Sequence, residues 1–400
     1  MVIWTAENYL KSAFDADRCR QIKRFVEGGG KVGSYSETLA AHLMKKYPDA
    51  RDYPGGDWNY AQGFMLWGFI KLYCATGQRQ YIDYVLDYCD RQVERDGTIT
   101  RFTGYGLDDV MPASVLTVAW RQTGENKYRS ACEKVRRMLN DYPRNHMGGF
   151  WHMRKLPGEM WVDGLFMGLL FLLHYGKCFG DEAYCYSEIT KQLTVAGILC
   201  QKDNSGLLYH AHSDDLSVEW AHPVTGKSSE VWSEGLGWYA LILTEVLQAM
   251  SPDIPGYSSI QEQARKLASA LKATQDEASG LWCQVVDKAN HPRNFFDTSG
   301  SAMFSYFLAT GLGFGLHNKT DYQLISENAW GGLLTRFVKS EDGDVRIIHA
   351  CDGLGVQNTY DEYVDYPQVE NAKEAVPAFF WAACANEYGV SANLLYSKRH

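Results

Sequence analysis

Apolar and polar positions follow one another along the chain in a repeated order. A glycine-centred turn leads to a short aromatic or β-branched piece, then a polar loop, then an almost wholly apolar run such as 165–173. Between these units lie stretches such as 261–271, whose apolar residues recur at helical spacing on one side only. An all-round apolar run predicts a fully buried helix, whereas a one-sided run predicts a helix with a solvent face. Each repeat is therefore predicted to be a pair of helices, one inner and one outer.

Five copies of this unit follow an N-terminal part, through about Ala75, that supplies the first pair. They run over residues 96–112, 148–166, 206–238, 280–302 and 342–380. Helix pairs that cannot bury their own apolar faces close most economically into a ring. We predict an all-α fold, an (α/α)6 barrel of six hairpins with short β-strands in the loops at one end, as a single catalytic domain over residues 1–400. An open solenoid is the rival arrangement, although its repeats are usually more uniform in length.

Charge and composition narrow the class of partner. The formal net charge is −9, and no Lys/Arg-rich stripe is present, which argues against nucleic acid and anionic membranes as partners. Glu7 interrupts the N-terminal apolar stretch before it is long enough for a secretory signal, and no 18-residue apolar segment follows. The ten cysteines include no C-x-x-C pair and indicate buried, reduced thiols. We expect a soluble, cytoplasmic protein with a small partner; its oligomeric state is not predicted.

Acidic residues at the starts of the apolar runs are the main candidates for chemistry. Asp163 opens such a run between Trp161 and Phe166, where burial against aromatic faces would raise the pKa of its carboxyl toward that of a general acid. Asp108 and Asp109 hold the corresponding place one repeat earlier. Two carboxyls at one end of a ring can supply the pair that glycoside chemistry requires. Capping of the helix is the alternative role for each of them.

Histidines and aromatic residues at the same end of the ring are the next candidates. His152 and His210 occupy equivalent glycine-aromatic-His turns and suit hydrogen bonding to a sugar, while the pairing of His210 with His212 is a weak metal motif. Sugar binding and core packing both fit a further group of helix-start residues. That group consists of Trp58, Tyr60, Gln62, Trp232 and Trp238. The glycine runs at 28–30 and 311–315 lack the flanking strand and lysine of a phosphate loop.

Taken in order, these motifs resemble glycoside hydrolase family 105, the unsaturated rhamnogalacturonyl hydrolases, and the related family 88. The resemblance extends from about residue 57 to residue 388. It is carried by the motifs at 58–63, 107–112, 148–152, 160–167, 206–210, 232–238 and 298–304.

The resemblance implies an (α/α)6 barrel and a substrate left by a pectin or related polysaccharide lyase, an oligosaccharide ending in a 4,5-unsaturated uronic acid. It implies that Asp163 protonates C4 of the vinyl ether and then, as a base, helps water add at C5, so that the hemiketal opens and expels the neighbouring sugar. Asp108 would orient the reacting groups. The residues matching the family's pocket are His152, His210, Trp232 and Trp238. No metal or organic cofactor is implied.

One position departs from the family pattern. Where W-x-R-x-x-G-W is common, this chain carries Glu234 in place of the arginine. A carboxylate there would repel a uronate, unless Glu234 points away or Arg293 or Lys227 replaces the missing cation. Two alternative functions stay open at this point: a sugar epimerase or isomerase using paired histidines, and a non-catalytic sugar-binding relative.

Overall fold

The computed structural model describes residues 34–389, so residues 1–7, Cys19 and the glycine run at 28–30 lie outside the described part. Thirteen α-helices occupy the described residues: α1 (Tyr35–Lys46), α2 (Tyr60–Thr76), α3 (Arg79–Gln92), α4 (Ala113–Thr123), α5 (Asn126–Met138), α6 (Asp163–Phe179), α7 (Glu182–Leu199), α8 (Ser233–Ala249), α9 (Tyr257–Thr274), α10 (Thr298–Gly313), α11 (Lys319–Leu334), the short α12 (Tyr360–Val364) and α13 (Ala375–Tyr388).

The strands are short and form two-stranded antiparallel pairs. They are β1 (Glu159–Trp161), β2 (Gln201–Lys202), β3 (Leu207–Leu208), β4 (Ala211–Ser213), β5 (Phe337–Lys339), β6 (Val345–Ile347), β7 (Ala350–Cys351) and β8 (Gln368–Val369). β1 pairs with β4, β2 with β3, β5 with β6 and β7 with β8. All of them lie in loops that lead from an outer helix to the next inner helix, as the sequence predicted.

The inner helices form a closed ring. Helices α2, α4, α6, α8, α10 and α13 each contact the next, and α13 contacts α2. Helices α1, α3, α5, α7, α9 and α11 pack around them. The predicted (α/α)6 barrel is confirmed, and the contact between α13 and α2 excludes the open solenoid.

Burial along the helices follows the sequence pattern. In α8 every residue from Ser233 to Gln248 is buried, whereas α5 buries only Tyr128, Ala131, Cys132 and Val135, which lie on one face. No helix between residues 34 and 389 is long and apolar enough to span a membrane. The nine cysteines of the described part are free, as expected.

The connections between helices differ at the two ends of the ring. Helices α2, α4 and α6 each end at a glycine with positive φ, namely Gly77, Gly124 and Gly180, and an outer helix follows almost at once. A left-handed residue at this position ends a helix at little cost when it is glycine. The connections from outer to inner helices are long by comparison. We therefore expect functional side chains to gather at the end where the inner helices begin.

A charged pair lies inside the ring, which the sequence pattern did not predict. Lys71 of α2 is 2% exposed, and Glu245 of α8 is fully buried. The Lys71 Nζ atom lies 3.0 Å from Glu245 Oε1. The same ammonium group donates to the Tyr306 hydroxyl of α10 over 2.8 Å and sits 4.1 Å from the ring centroid of Trp381 in α13. Three other inner helices thus contact the charge carried by α2.

Candidate active site

Backbone hydrogen bonds between the long loops bring the predicted residues together. The Leu107 amide donates to the His152 carbonyl over 3.0 Å, which ties the turn carrying Asp108 to the His152 loop. The Val162 amide donates to the His210 carbonyl over 2.9 Å. Pairing of β1 with β4 continues this contact. The start of α6 is therefore held between loops from two neighbouring repeats.

Asp163 lies at the centre of the cluster. It is the first residue of α6, and its side chain is 14% exposed. Its Oδ2 atom is 3.9 Å from His152 Nδ1, and its Oδ1 atom is 3.9 Å from His210 Nε2. On the far side of the imidazole, His152 Nε2 is 3.9 Å from Asp108 Oδ1. Two carboxyls and two imidazoles thus face one another without direct hydrogen bonds.

Several buried atoms in this cluster have no hydrogen-bond partner within the described residues. They are Asp163 Oδ1, His152 Nδ1, His210 Nε2 and the Trp232 indole nitrogen. Leaving a buried polar atom unpaired costs free energy, so native structures rarely keep such atoms except where they have a task. Their convergence beside Asp163 indicates a place where a polar ligand completes the hydrogen bonding.

Aromatic contacts fix the two histidine rings. His152 stacks on Trp161 with ring centroids 4.3 Å apart and an interplanar angle of 8°. The Trp161 indole in turn donates to Glu159 Oε2 over 2.8 Å. His210 packs against Trp232 at 4.4 Å. Neither imidazole is free to rotate, so both present defined nitrogen atoms to the site.

Burial shifts the protonation of these groups. It raises the pKa of Asp163, and the charge of His152 and the backbone amides at the helix start only partly offset it. Burial raises the pKa of Asp108 to about 6, with His152 opposing the shift and Asp163 adding to it. Burial lowers the pKa of His210 to about 3. The site therefore combines two carboxyls of raised pKa with a neutral His210 imidazole.

Two of the predicted substrate-binding residues support the turn that carries Asp108. Trp58 is 5% exposed, and its indole donates to the Asp109 carbonyl over 2.9 Å. The Asp109 carboxylate accepts from the Thr103 hydroxyl and the Tyr105 amide, within its own loop. Their contacts are those of a scaffold for Asp108.

Two others are buried, and one of them, Trp238, lies in an aromatic floor below the site. Trp238 is 2% exposed and packs against Phe64 at 4.6 Å and Phe166 at 5.0 Å. Gln62 is fully buried and donates to the Tyr53 carbonyl. Phe166, which the sequence suggested as a neighbour of the Asp163 carboxyl, belongs to this aromatic floor.

Glu234 and Tyr60 belong to a second cluster of buried charged groups. The Ser299 hydroxyl donates to Glu234 Oε2 over 2.7 Å, and the Tyr60 hydroxyl donates to the fully buried Glu374. Glu374 is ion-paired with Lys373. Burial, and next the charge of Glu374, raise the pKa of Glu234 well above its usual range. Lys373 also lowers the pKa of Asp108, so its charge acts at the first cluster too.

The two cations suggested as replacements for the family's arginine are engaged elsewhere. Arg293 is 49% exposed and ion-paired with Asp361 and Asp365. Lys227 donates to the Gln201 carbonyl over 2.6 Å. The sequence did not single out Lys373, Glu374 or Tyr363, because they lie in the long segment before α13 and share no repeated motif.

Comparison with known proteins decides the family. A model of Glycosyl Hydrolase Family 88 matches residues 35–388. The chain belongs to glycosyl hydrolase family 88. The resemblance to family 105 is confirmed as well, since a glycoside hydrolase from that family in C. acetobutylicum is 27% identical, with a TM-score of 0.83 over 88% of this chain and 99% of the other.

Two curated relatives support the assignment. The unsaturated rhamnogalacturonyl hydrolase YesR of Bacillus subtilis is 27% identical over 252 residues, which is 61% of this chain and 68% of that protein. Protein Atu3128 of Agrobacterium fabrum is 31% identical over 222 residues, 52% of this chain and 94% of the relative. This family 88 chain is a glycosidase, which favours hydrolysis over the epimerase and binding-protein alternatives.

The absence of a side chain at Gly164 leaves room for the His152 imidazole beside Asp163. A Cβ atom at this position would lie 2.9 Å from His152 Nδ1. We expect Gly164→Ala to displace the imidazole and to lower kcat/KM by about 10- to 100-fold, because small misplacements of reacting groups cost that much. Steady-state kinetics would measure the loss. Gly313→Ala is the matched control, since its Cβ would meet nothing within 4 Å; equal activity of the two variants would contradict the expectation.

Proposed function

We propose that this glycosidase releases a 4,5-unsaturated uronic acid, in particular an unsaturated galacturonyl group, from the non-reducing end of lyase-generated oligosaccharides such as unsaturated rhamnogalacturonan disaccharide. The observation that carries the proposal is the buried Asp163 carboxyl facing unpartnered nitrogen atoms of His152 and His210. The relationship to YesR, whose name describes it as an unsaturated rhamnogalacturonyl hydrolase, supports the choice of sugar.

The chemistry follows from the protonation of the site. Protonated Asp163 delivers its proton to C4 of the vinyl ether, and positive charge develops at C5 and the ring oxygen. Water then adds at C5 while the Asp163 carboxylate takes up a proton from that water, so the carboxyl is regenerated. The resulting hemiketal opens and releases the neighbouring sugar. A carboxyl with a raised pKa suits both steps, because its protonated form is more populated than that of an ordinary aspartic acid and its carboxylate is a stronger base.

Glu234 is compatible with an anionic sugar in this scheme. It is 1% exposed, it accepts a hydrogen bond from Ser299, and its pKa is raised well above the usual range by burial. A carboxyl that keeps its proton carries no charge with which to repel a uronate. After His152, Lys373 is the cation whose charge acts on Asp108, although Lys373 is also ion-paired with Glu374.

Loss of the conjugated alkene tests the proposed reaction. The protein is incubated with unsaturated rhamnogalacturonan disaccharide, and with unsaturated glucuronyl disaccharides from other lyases, while the ultraviolet absorbance of the alkene is followed. We expect absorbance to fall with every active substrate and fastest with the galacturonyl one. No decrease with any lyase product would refute the function. Faster loss with a glucuronyl-derived disaccharide would refute only the proposed linkage and neighbouring sugar, because the C4=C5 double bond makes the two unsaturated uronyl rings identical.

Removal of the Asp108 charge is expected to shift the pH profile. Asp163 raises the pKa of Asp108 by charge repulsion, and the same repulsion acts in reverse. In Asp108→Asn the pKa of Asp163 therefore falls, and because the protonated form is the active one, the alkaline limb of kcat moves to lower pH. The pH dependence of kcat measures this shift. Asp83→Asn, an exposed residue of α3 paired with Arg79, is the control. An alkaline limb that stays in place or moves upward would contradict the expectation.

A further inference from the structure

A buried tyrosine hydroxyl supports the second histidine of the site. Tyr363 of α12 is fully buried, and its hydroxyl oxygen lies 2.8 Å from His210 Nδ1. The same oxygen accepts a hydrogen bond from the Gln357 amide over 3.3 Å. The Gln284 side chain donates to the Tyr363 carbonyl over 3.3 Å and anchors the segment. The tyrosine is therefore held in place on both its backbone and its hydroxyl.

The direction of the hydrogen bond between Tyr363 and His210 follows from counting protons. The Gln357 amide can only donate, so the phenolic oxygen already acts as an acceptor. The phenolic proton needs an acceptor of its own, and His210 Nδ1 is the one within reach among the described residues. The opposite direction would leave a buried O–H without an acceptor, which is costly. His210 Nδ1 is thus the bare nitrogen, and the ring proton resides on Nε2.

We propose that Tyr363 is a positioning residue that fixes His210 as its Nε2–H tautomer, so that this imidazole donates a hydrogen bond to the substrate and cannot accept one from the Asp163 carboxyl. The proposal rests on the proposed role of Asp163 as the acid. His210 Nε2 faces Asp163 Oδ1 at 3.9 Å. If Nε2 were bare, it would accept a hydrogen bond from the Asp163 O–H, which would hold that proton away from C4 and leave the substrate without a donor at this position.

None of the other described groups around His210 supplies a hydrogen-bond partner for its Nδ1 atom. The rings of Trp161 and Trp232 cover it, at 5.8 Å and 4.4 Å between centroids. Its backbone amide donates to the Glu230 carbonyl over 3.0 Å. Burial, and next the charge of His152, lower the pKa of His210, so the neutral ring is the relevant form. Tyr363 alone among these neighbours contacts Nδ1.

The test is a comparison of histidine ring nitrogens in the full chain. Protein labelled with ¹⁵N-histidine is studied by ¹H–¹⁵N correlation spectroscopy, and the His210 signals are assigned with His210→Gln. We expect wild-type His210 to show a bare Nδ1 and a protonated Nε2, and Tyr363→Phe to show a mixture of tautomers. Because this variant removes the donor that stabilises a bare Nδ1, its imidazole should also take up a proton at higher pH.

Kinetics provide the second measurement. In Tyr363→Phe we expect kcat/KM to fall by about tenfold, the value of one lost buried hydrogen bond, and the acid limb of the pH profile to move to higher pH. Tyr257→Phe is the matched control, because Tyr257 donates to the Leu247 carbonyl over 3.0 Å at the opposite end of α8.

Either of two results would overturn the proposal: protonated Nδ1 in the wild type, or an unchanged tautomer and pH profile in Tyr363→Phe. The wild-type spectrum decides the tautomer even if the variant does not fold. The spectrum requires no turnover. If the protein acts on no unsaturated sugar, the proposed function is refuted, and the tautomer assignment is still judged from the spectrum.

Discussion

Replacing Asp163 with asparagine is expected to lower kcat by about 10³-fold, because one group supplies the proton for C4 and then accepts one from the attacking water. The amide keeps the size of the side chain but can do neither. The carboxyl oxygens lie 3.9 Å from both histidines, so the substitution should disturb few direct contacts. The alkene absorbance assay measures the loss, and circular dichroism checks the fold. Residual activity within tenfold of the wild type would rule out Asp163 as the acid.

Binding separates this chemical role from a structural one. We expect Asp163→Asn to retain affinity for the unsaturated disaccharide within about tenfold, since removal of a group that acts in the transition state lowers kcat more than it weakens substrate binding. Isothermal titration calorimetry of the inactive variant would measure this affinity. Loss of both binding and turnover would indicate that Asp163 mainly organises the pocket.

Removing the charge of Lys71 is expected to destabilise the barrel by about 3–5 kcal/mol, because it leaves the Glu245 carboxylate buried without its partner. Lys71→Met keeps an unbranched side chain of similar length. The free energy of unfolding, from urea denaturation followed by circular dichroism, would measure the effect. A loss below about 1 kcal/mol would show that the pair is not a strong constraint on the closed ring.

The double variant Lys71→Met/Glu245→Leu provides the matched comparison. When both partners of a buried ion pair are replaced by apolar side chains of similar volume, stability is often retained. We therefore expect the double variant to recover most of the stability lost in Lys71→Met. A double variant less stable than the single one would indicate that the Tyr306 hydroxyl, left without these partners, dominates the cost.

The fold was predictable because its pattern is repeated and its helices are chemically distinct. Helix α8 is buried from Ser233 to Gln248, and its sequence is apolar nearly throughout, so its inner position follows from composition. The outer helix α5 shows the opposite, one-sided pattern. The charged pair of Lys71 and Glu245 escaped prediction because each residue looks like a solvent-facing position until ring closure brings the two together.

The site was predictable where it shares a position in the repeat. Asp108 and Asp163 come from corresponding turns, and His152 and His210 from another matching pair, so parallel inner helices bring all four to one end. Tyr363 and Lys373 escaped prediction because they come from the long loop before α13, whose path is set by tertiary contacts. Trp58 and Trp238 were ambiguous, since an aromatic residue at a helix start suits a pocket wall and a packed core equally well.

The aromatic floor limits the direction from which a sugar chain can reach Asp163. Phe166 lies one turn below Asp163 on α6 and packs with Phe64 and Trp238 across the middle of the ring. Because these rings fill the middle of the ring of inner helices, we expect a sugar chain to reach Asp163 only from the end at which the inner helices begin. Under the proposed function, we therefore expect each turnover to remove one terminal unit and to leave internal linkages intact.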